Sequence, residues 1–145
     1  MSYNIPQSFS SSSASLSSSQ IERYARQLIL PPPFGGVKSL EIVLSSTVVV
    51  IGAGGLASPL LLYLSAAGVG NLVIVDGDRV EESNLHRQII HTTDRKDILK
   101  VESAKASILE LNPSTKVKTI AEVRIYRRRS GGATTGYLTV VWYDD

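Results

Sequence analysis

Residues 47–78 read TVVVIGAGGLASPLLLYLSAAGVGNLVIVDGD, and the fold follows from how this string is divided. Five β-branched residues run into Gly52, Gly54 and Gly55, which reads as a buried strand ending at a tight turn. An apolar run from Leu56 to Ala67 then predicts a helix that packs on the sheet on all sides, and Gly68 and Gly70 end it. The second apolar run, 72–75, predicts another strand, and it closes on Asp76. Strand, glycine turn, helix, strand and acid make half of a Rossmann-type unit.

Each residue type in the turn has a physical reason. Gly52 permits a sharp reversal, while Gly54 and Gly55 let backbone amides approach an anion with no Cβ between them. The helix that follows points its positive end at the same place, so a nucleotide phosphate is the expected guest. Asp76 lies about 20 residues beyond the glycines, where a carboxylate can accept hydrogen bonds from ribose hydroxyls. A glycine string alone also occurs as a plain tight turn, and Ala57 holds its last position, so the flanks must decide.

The chain of 145 residues predicts one α/β folding unit. Net charge is +2, with no long basic stripe except Arg127, Arg128 and Arg129, so nucleic acid is not an expected partner. With no cysteine and only two histidines, thiolate chemistry, disulfides and a histidine or cysteine metal site are excluded for these residues. The first residues lack the pattern of a secretory signal, and the longest apolar run, broken by Ser58, Pro59 and Ser65, is too short for a bilayer. A soluble cytoplasmic protein without a membrane partner is expected.

Residues 1–18 are serine-rich and predict a disordered leader. Order is expected from Ser19, which with Glu22 has the spacing of a capping box, opening a helix with Ile21, Tyr24 and Leu28 on one face and Arg23 and Arg26 on the other. Prolines 31–33 stop it. A linking helix over 37–46 precedes the first strand, and another over 99–111 should bury Val101, Ala104, Ile108 and Leu111. Between Asp76 and that helix runs a polar stretch that includes Asp78, Ser83, Asn84, Leu85, His86, Arg87 and Gln88, placed by topology beside the phosphate turn. Lys100 opens the helix against its dipole, which an anion would offset.

Taken together, RYARQLIL (23–30), GAGGL (52–56), AAGVG (66–70), DGD (76–78), SNLHRQ (83–88) and KVESA (100–104) resemble the ThiF/MoeB family of adenylyltransferases, relatives of ubiquitin-activating enzymes, within roughly residues 21–113. The resemblance is strongest to the eukaryotic branch that activates a ubiquitin-like sulfur carrier. It implies ATP with Mg as cofactors, and attack of a carrier's C-terminal Gly-Gly carboxylate on the α-phosphate to give an acyl-adenylate and pyrophosphate. It also implies that Gly52, Gly54 and Gly55 form the phosphate turn, that Asp76 holds the ribose, and that Asp78 and residues 83–88 line the site. Arg87 and Lys100 would be catalytic with Arg26, which reaches across a homodimer like an arginine finger.

The sequence departs from the family in two places. The segment before Lys100, TDRKDIL, has no glycine where the family usually turns on one. After Ile120 the pattern is lost, and the family's magnesium-binding aspartate, its cysteines and its zinc site have no counterpart in the atypical tail, 121–145. Within that tail, 137–143 alternates like a strand, and no motif supports Asp144 or Asp145 as an imitation of the magnesium ligand. Domain organisation is therefore leader, N-terminal part of a nucleotide-binding domain at 19–120, and tail. The expected function is adenylation in a truncated, catalytically impaired form. The competing readings are an NAD-binding oxidoreductase domain and a non-catalytic dimerisation fragment.

Overall fold

The computed structural model describes residues 16–121 and 139–143. The leader, the tail arginines, Asp144 and Asp145 fall outside them, apart from the end of the leader at residues 16–18. Chain order is α1 (Ser18–Arg23), α2 (Ala25–Leu28), α3 (Val37–Ser45), β1 (Thr47–Ile51), α4 (Ala57–Ala67), β2 (Asn71–Val75), α5 (Lys100–Leu111), β3 (Lys116–Ile120) and β4 (Thr139–Tyr143). The α/β, Rossmann-like expectation is met: β1, β2 and β3 pair in parallel, with Val48 opposite Leu72 and Leu72 opposite Val117.

Alternation along the strands sets the layers. Val48 and Val50 of β1 and Leu72 and Ile74 of β2 point one way and are fully buried. They form one core with Leu61 of α4 and Val101, Ala104 and Ile108 of α5. Consecutive right-handed crossovers put α4 and α5 side by side on the same face, so each helix covers the sheet and the other. Along the edge strand β3, Lys116 and Lys118 are exposed, a charge pattern that blunts edge pairing.

The first two helices brace the opposite end of this layer. Arg23 Nη1 donates to the Leu111 carbonyl at the end of α5, 3.1 Å, and Gln27 Nε2 to the Ala67 carbonyl at the end of α4, 3.1 Å. Both satisfy carbonyls that a helix end leaves without partners. Tyr24 is buried between them, its hydroxyl taking a 2.9 Å bond from Asn112 Nδ2. Gly68 ends α4 at φ 97°, and a Cβ there would stand 2.8 Å from the Tyr24 ring. A side chain at that position is therefore excluded twice.

Several local expectations need correction. The capping box is real but starts two residues earlier: Ser17 caps α1 and Gln20 returns the bond. The single amphipathic helix is two short ones, broken at Tyr24 (φ −106°, ψ 15°), because burying Tyr24 against Gly68 takes precedence over helix continuity. Helix α4 is not buried all round: Tyr63 on it is 76% exposed and the preceding Leu56 is 69% exposed. In α5 the buried stripe stops at Ile108, and Leu111 is 41% exposed.

The free edge of β1 is taken by β4, which runs antiparallel with Thr139 opposite Ile51. The order β3-β2-β1-β4 matches the doubly wound arrangement, in which the fourth strand also flanks the first but runs parallel to it. Topology explains the reversal. β3 ends at the same end of the sheet where β4 begins, whereas a parallel β4 would begin at the opposite end.

Candidate functional site

The glycine turn sits where β1 delivers it, at the carboxyl end of the sheet and the start of α4. Gly52 takes φ 103°, a left-handed conformation open to glycine, and its amide donates to the Val75 carbonyl at 2.7 Å. Gly54 and Gly55 behave differently. A Cβ on Gly54 would meet nothing nearer than Gln88 Nε2 at 3.9 Å, and one on Gly55 nothing nearer than Arg87 at 3.6 Å. Those are ordinary contacts, so the fold itself does not demand glycine at either position.

Asp76 is buried at the end of β2, and its carboxylate joins two backbones. One oxygen accepts from the Ala53 amide at 2.7 Å and the other from the Asp78 amide at 2.8 Å. Each oxygen keeps a further lone pair, which leaves acceptor capacity for a ligand hydroxyl. Asp78 in turn carries Lys100: the Lys100 amide donates to the Asp78 carbonyl at 2.9 Å, and Lys100 Nζ to Asp78 Oδ2 at 3.0 Å. The ammonium side is 8% exposed and the carboxylate side 74%. The missing glycine before Lys100 is made good by Asp97, which adopts φ 66° and so turns the chain as glycine would. Lys100 thus sits beside the Asp76 and Asp78 pair.

Sequence reasoning overlooked His91. It is buried, with Nε2 2.9 Å from the Ala53 carbonyl and Nδ1 3.0 Å from Ser103 Oγ on α5. A carbonyl only accepts, so Nε2 carries the proton and the Ser103 hydroxyl donates to Nδ1. Burial pushes this imidazole below its ordinary pKa of 6.5; the Ala53 bond and Asp76 oppose that, and Lys100 and Arg95 add to it. A closed circuit results: Asp76, Ala53, His91, Ser103, α5, Lys100, Asp78 and back to Asp76.

The polar stretch forms one wall. Asn84 and Gln88 are buried, Leu85 is half-buried, and Ser83, His86 and Arg87 are exposed. Ser83 bonds Glu81 at 3.2 Å and receives Asn84 Nδ2 at 3.3 Å; Arg87 Nη1 donates to the Ser83 carbonyl and to His86 Nε2, both at 3.2 Å. Gln88 Oε1 is buried with no hydrogen-bond partner among the described residues. Among the described residues no three carboxylate, histidine or cysteine groups cluster as a metal cage. Of the expected site residues, Gln88 and Arg87 lie beside Gly54 and Gly55, Arg87 links to Ser83 and His86, and Asp76, Asp78 and Lys100 join the turn through Ala53, whereas Arg26 stands apart. Arg26 is exposed on α2 beside Gln27, which touches the far end of α4, so an 11-residue helix, about 16 Å long, separates it from this chain's glycine turn.

No described helix is long and apolar enough to cross a membrane. A profile of the ThiF family matches residues 24–127. An adenylyltransferase and sulfurtransferase, UBA4, of Lodderomyces elongisporus is 49% identical over 121 residues, 83% of this chain and 26% of that protein. Among solved structures, PaaA is 35% identical with TM-score 0.68, over 82% of this chain and 38% of its own. The Escherichia coli tRNA N6-threonylcarbamoyladenosine dehydratase, TcdA, in complex with ATP is 26% identical with TM-score 0.66, over 73% and 42%. The chain spans about a quarter of the curated relatives' length. With the profile covering most of the described core and the glycine turn, acid and lysine in one circuit, the chain belongs to the ThiF family.

Proposed function

We propose that this chain binds MgATP on the glycine turn and supplies the phosphate-holding part of an adenylation site for the C-terminal Gly-Gly carboxylate of a ubiquitin-like sulfur carrier. The observation that carries this reading is that the fold does not itself require glycine at Gly54 or Gly55, where a Cβ would meet nothing nearer than Gln88 at 3.9 Å and Arg87 at 3.6 Å. The first amides of α4, which a helix leaves without intrahelical partners, follow directly on that turn, Arg87 and Gln88 lie beside it, and Asp76 stands at the next strand's end. The relative solved with ATP supports the choice of nucleotide.

In this reading a carrier carboxylate oxygen attacks the α-phosphorus and the bond to the bridging oxygen breaks, so pyrophosphate leaves with the charge. The turn amides, Arg87 and Lys100 stabilise that charge, and Asp76 orients the ribose. When bound, Mg²⁺ would be held mainly by the triphosphate's own oxygens, since no three carboxylate, histidine or cysteine groups cluster among the described residues, and it would supply charge neutralisation there. Arg26 acts on a second copy's nucleotide, because its own is a helix length away. The exposed Ile29, Leu30, Phe34 and Val37 around it offer that copy an apolar contact. By itself the chain binds and does not turn over.

Calorimetric titration with MgATP and with NAD tests the reading. Saturable ATP binding that NAD does not compete is expected; NAD binding with no ATP uptake would overturn it in favour of a dehydrogenase-type domain. Exchange of labelled pyrophosphate into ATP in the presence of a Gly-Gly-ending carrier would show instead that this chain is a complete catalyst.

A further inference from the structure

We propose that His91, neutral and protonated on Nε2, is a positioning residue for nucleotide capture: it fixes the glycine turn to α5 and so sets the spacing between the turn's amides and the Lys100 ammonium. The inference rests on the ATP reading above. Its basis is the treatment of Ala53, the residue between Gly52 and Gly54. Both polar groups of Ala53 are engaged, the amide by Asp76 at 2.7 Å and the carbonyl by His91 at 2.9 Å. The first bond ties the turn to β2. The second ties it to α5, because the other His91 nitrogen is held by Ser103 at 3.0 Å.

Ser103 stands three residues after Lys100 on α5, on the same face of the helix. The rigid first turn of α5 therefore separates the imidazole's anchor from the ammonium. Without His91, the Ala53 carbonyl loses its buried partner, and the turn is held to β2 alone. The ring could fill this space as an apolar residue would, yet it has both nitrogens in use and no cation tolerance. The groups that face it are Asp76 from the end of β2, Lys100 from α5 and Arg95 from the short helical turn at Thr93–Arg95. An imidazolium would set a third positive charge beside Lys100 and Arg95, and would present Nδ1–H to a hydroxyl that now donates.

The test uses the whole 145-residue chain with His91→Ala, His91→Gln and Ser103→Ala. Calorimetric ATP affinity should fall roughly tenfold or more in His91→Ala, the cost of one unpaired buried acceptor. His91→Gln should restore most of it at about pH 7.5, since its amide can donate to the Ala53 carbonyl. Because ATP itself titrates, the pH readout is the ratio of wild-type to His91→Gln affinity, which should hold constant above the ring's ordinary value of 6.5 and fall as pH is lowered below it, since only the wild-type ring gains a proton. Nitrogen NMR without nucleotide should show the Nε2–H tautomer. If His91→Ala does not fold, the glutamine variant and the ratio decide. Equal affinities in wild type, alanine and glutamine variants, or a flat ratio with an Nδ1–H tautomer, overturn the inference while leaving ATP binding standing. A wild-type chain that takes up no ATP overturns the nucleotide reading and this inference with it.

Discussion

Lys100 cannot serve both Asp78 and a triphosphate at full strength, so neutralising Asp78 should raise ATP affinity while weakening the free protein. In the free chain the ammonium is nearly enclosed and its partner, 3.0 Å away, is largely in water. An ion pair at about 4 Å is worth roughly 4 kcal/mol at an effective dielectric of 20, but solvent around an exposed partner cuts such pairs to about 1 kcal/mol or less. The enclosed lysine pulls the other way, since removing one partner of a buried charge leaves that charge uncompensated. An intermediate cost of roughly 1–2 kcal/mol follows for Asp78→Asn, which is a fall in Tm of roughly 3–10 °C for a domain of this size. Triphosphate oxygens then replace the lost carboxylate, so saturating ATP should recover most of that fall and the ATP-induced rise in Tm should exceed the wild type's. Lys100→Met supplies the control: it removes the enclosed charge, leaves the free protein near wild-type stability, and abolishes the extra rise. Differential scanning fluorimetry with and without MgATP measures all three. If Asp78→Asn gives an ATP-induced rise no larger than the wild type's, the lysine is not shared between carboxylate and phosphate, and the reasoning fails.

The glycines separate fold from ligand. Gly52→Ala forces a side chain into φ 103° and should cost about 1–2 kcal/mol in denaturant titration, whereas Gly54→Val should leave stability within about 0.5 kcal/mol and abolish ATP binding. Leu61→Ala, at a fully buried position in α4, should cost about 2–5 kcal/mol and lower Tm without a direct effect on nucleotide contacts. The lowered His91 pKa fixes a sign: below its ordinary value of 6.5 the unfolded chain binds more protons, so this residue's contribution to stability is full above 6.5 and shrinks as pH falls toward the folded-state value. Urea midpoints taken across that window should fall more steeply for wild type than for His91→Gln. Arg26→Ala should leave monomeric ATP binding unchanged and weaken it only at chain concentrations where sedimentation shows dimers.

What the sequence made legible is what is local. β1, the turn, α4, β2 and Asp76 lie within 30 residues, and each announces itself by a period or a glycine. The Lys100 helix was likewise readable from its stripe, though its last apolar residue, Leu111, is exposed because the helix end is covered by Arg23 rather than by sheet. His91 was not readable, since its partners lie 38 and 12 residues away and nothing in Ile89, Ile90 and His91 distinguishes a clamp from a filler. Asp97 in a left-handed turn hid the equivalence with a glycine the family resemblance led one to expect. The break at Tyr24 came from packing against Gly68, a contact no helical period could reveal. The direction of β4 depended on which end of the sheet the chain returns to, which its alternation does not encode.

The two ends of the sheet carry the two halves of the proposed chemistry. The glycine turn, Asp76, Asp78 and Lys100 occupy the carboxyl end, while Arg26 and the exposed Ile29, Leu30 and Phe34 occupy the amino end, where α2 holds the last carbonyl of α4. No rearrangement within one chain can join them, because α4 is a rigid spacer packed on the core by Leu61. In the proposed reading a two-fold dimer would join them: with one copy's amino end against its partner's carboxyl end, symmetry would make the reciprocal contact identical. Both sites are then completed together or neither is. On that reading ATP binding should be cooperative with dimerisation, and the cooperativity should be lost on removing the α2 anchor, Gln27, as on removing Arg26 itself.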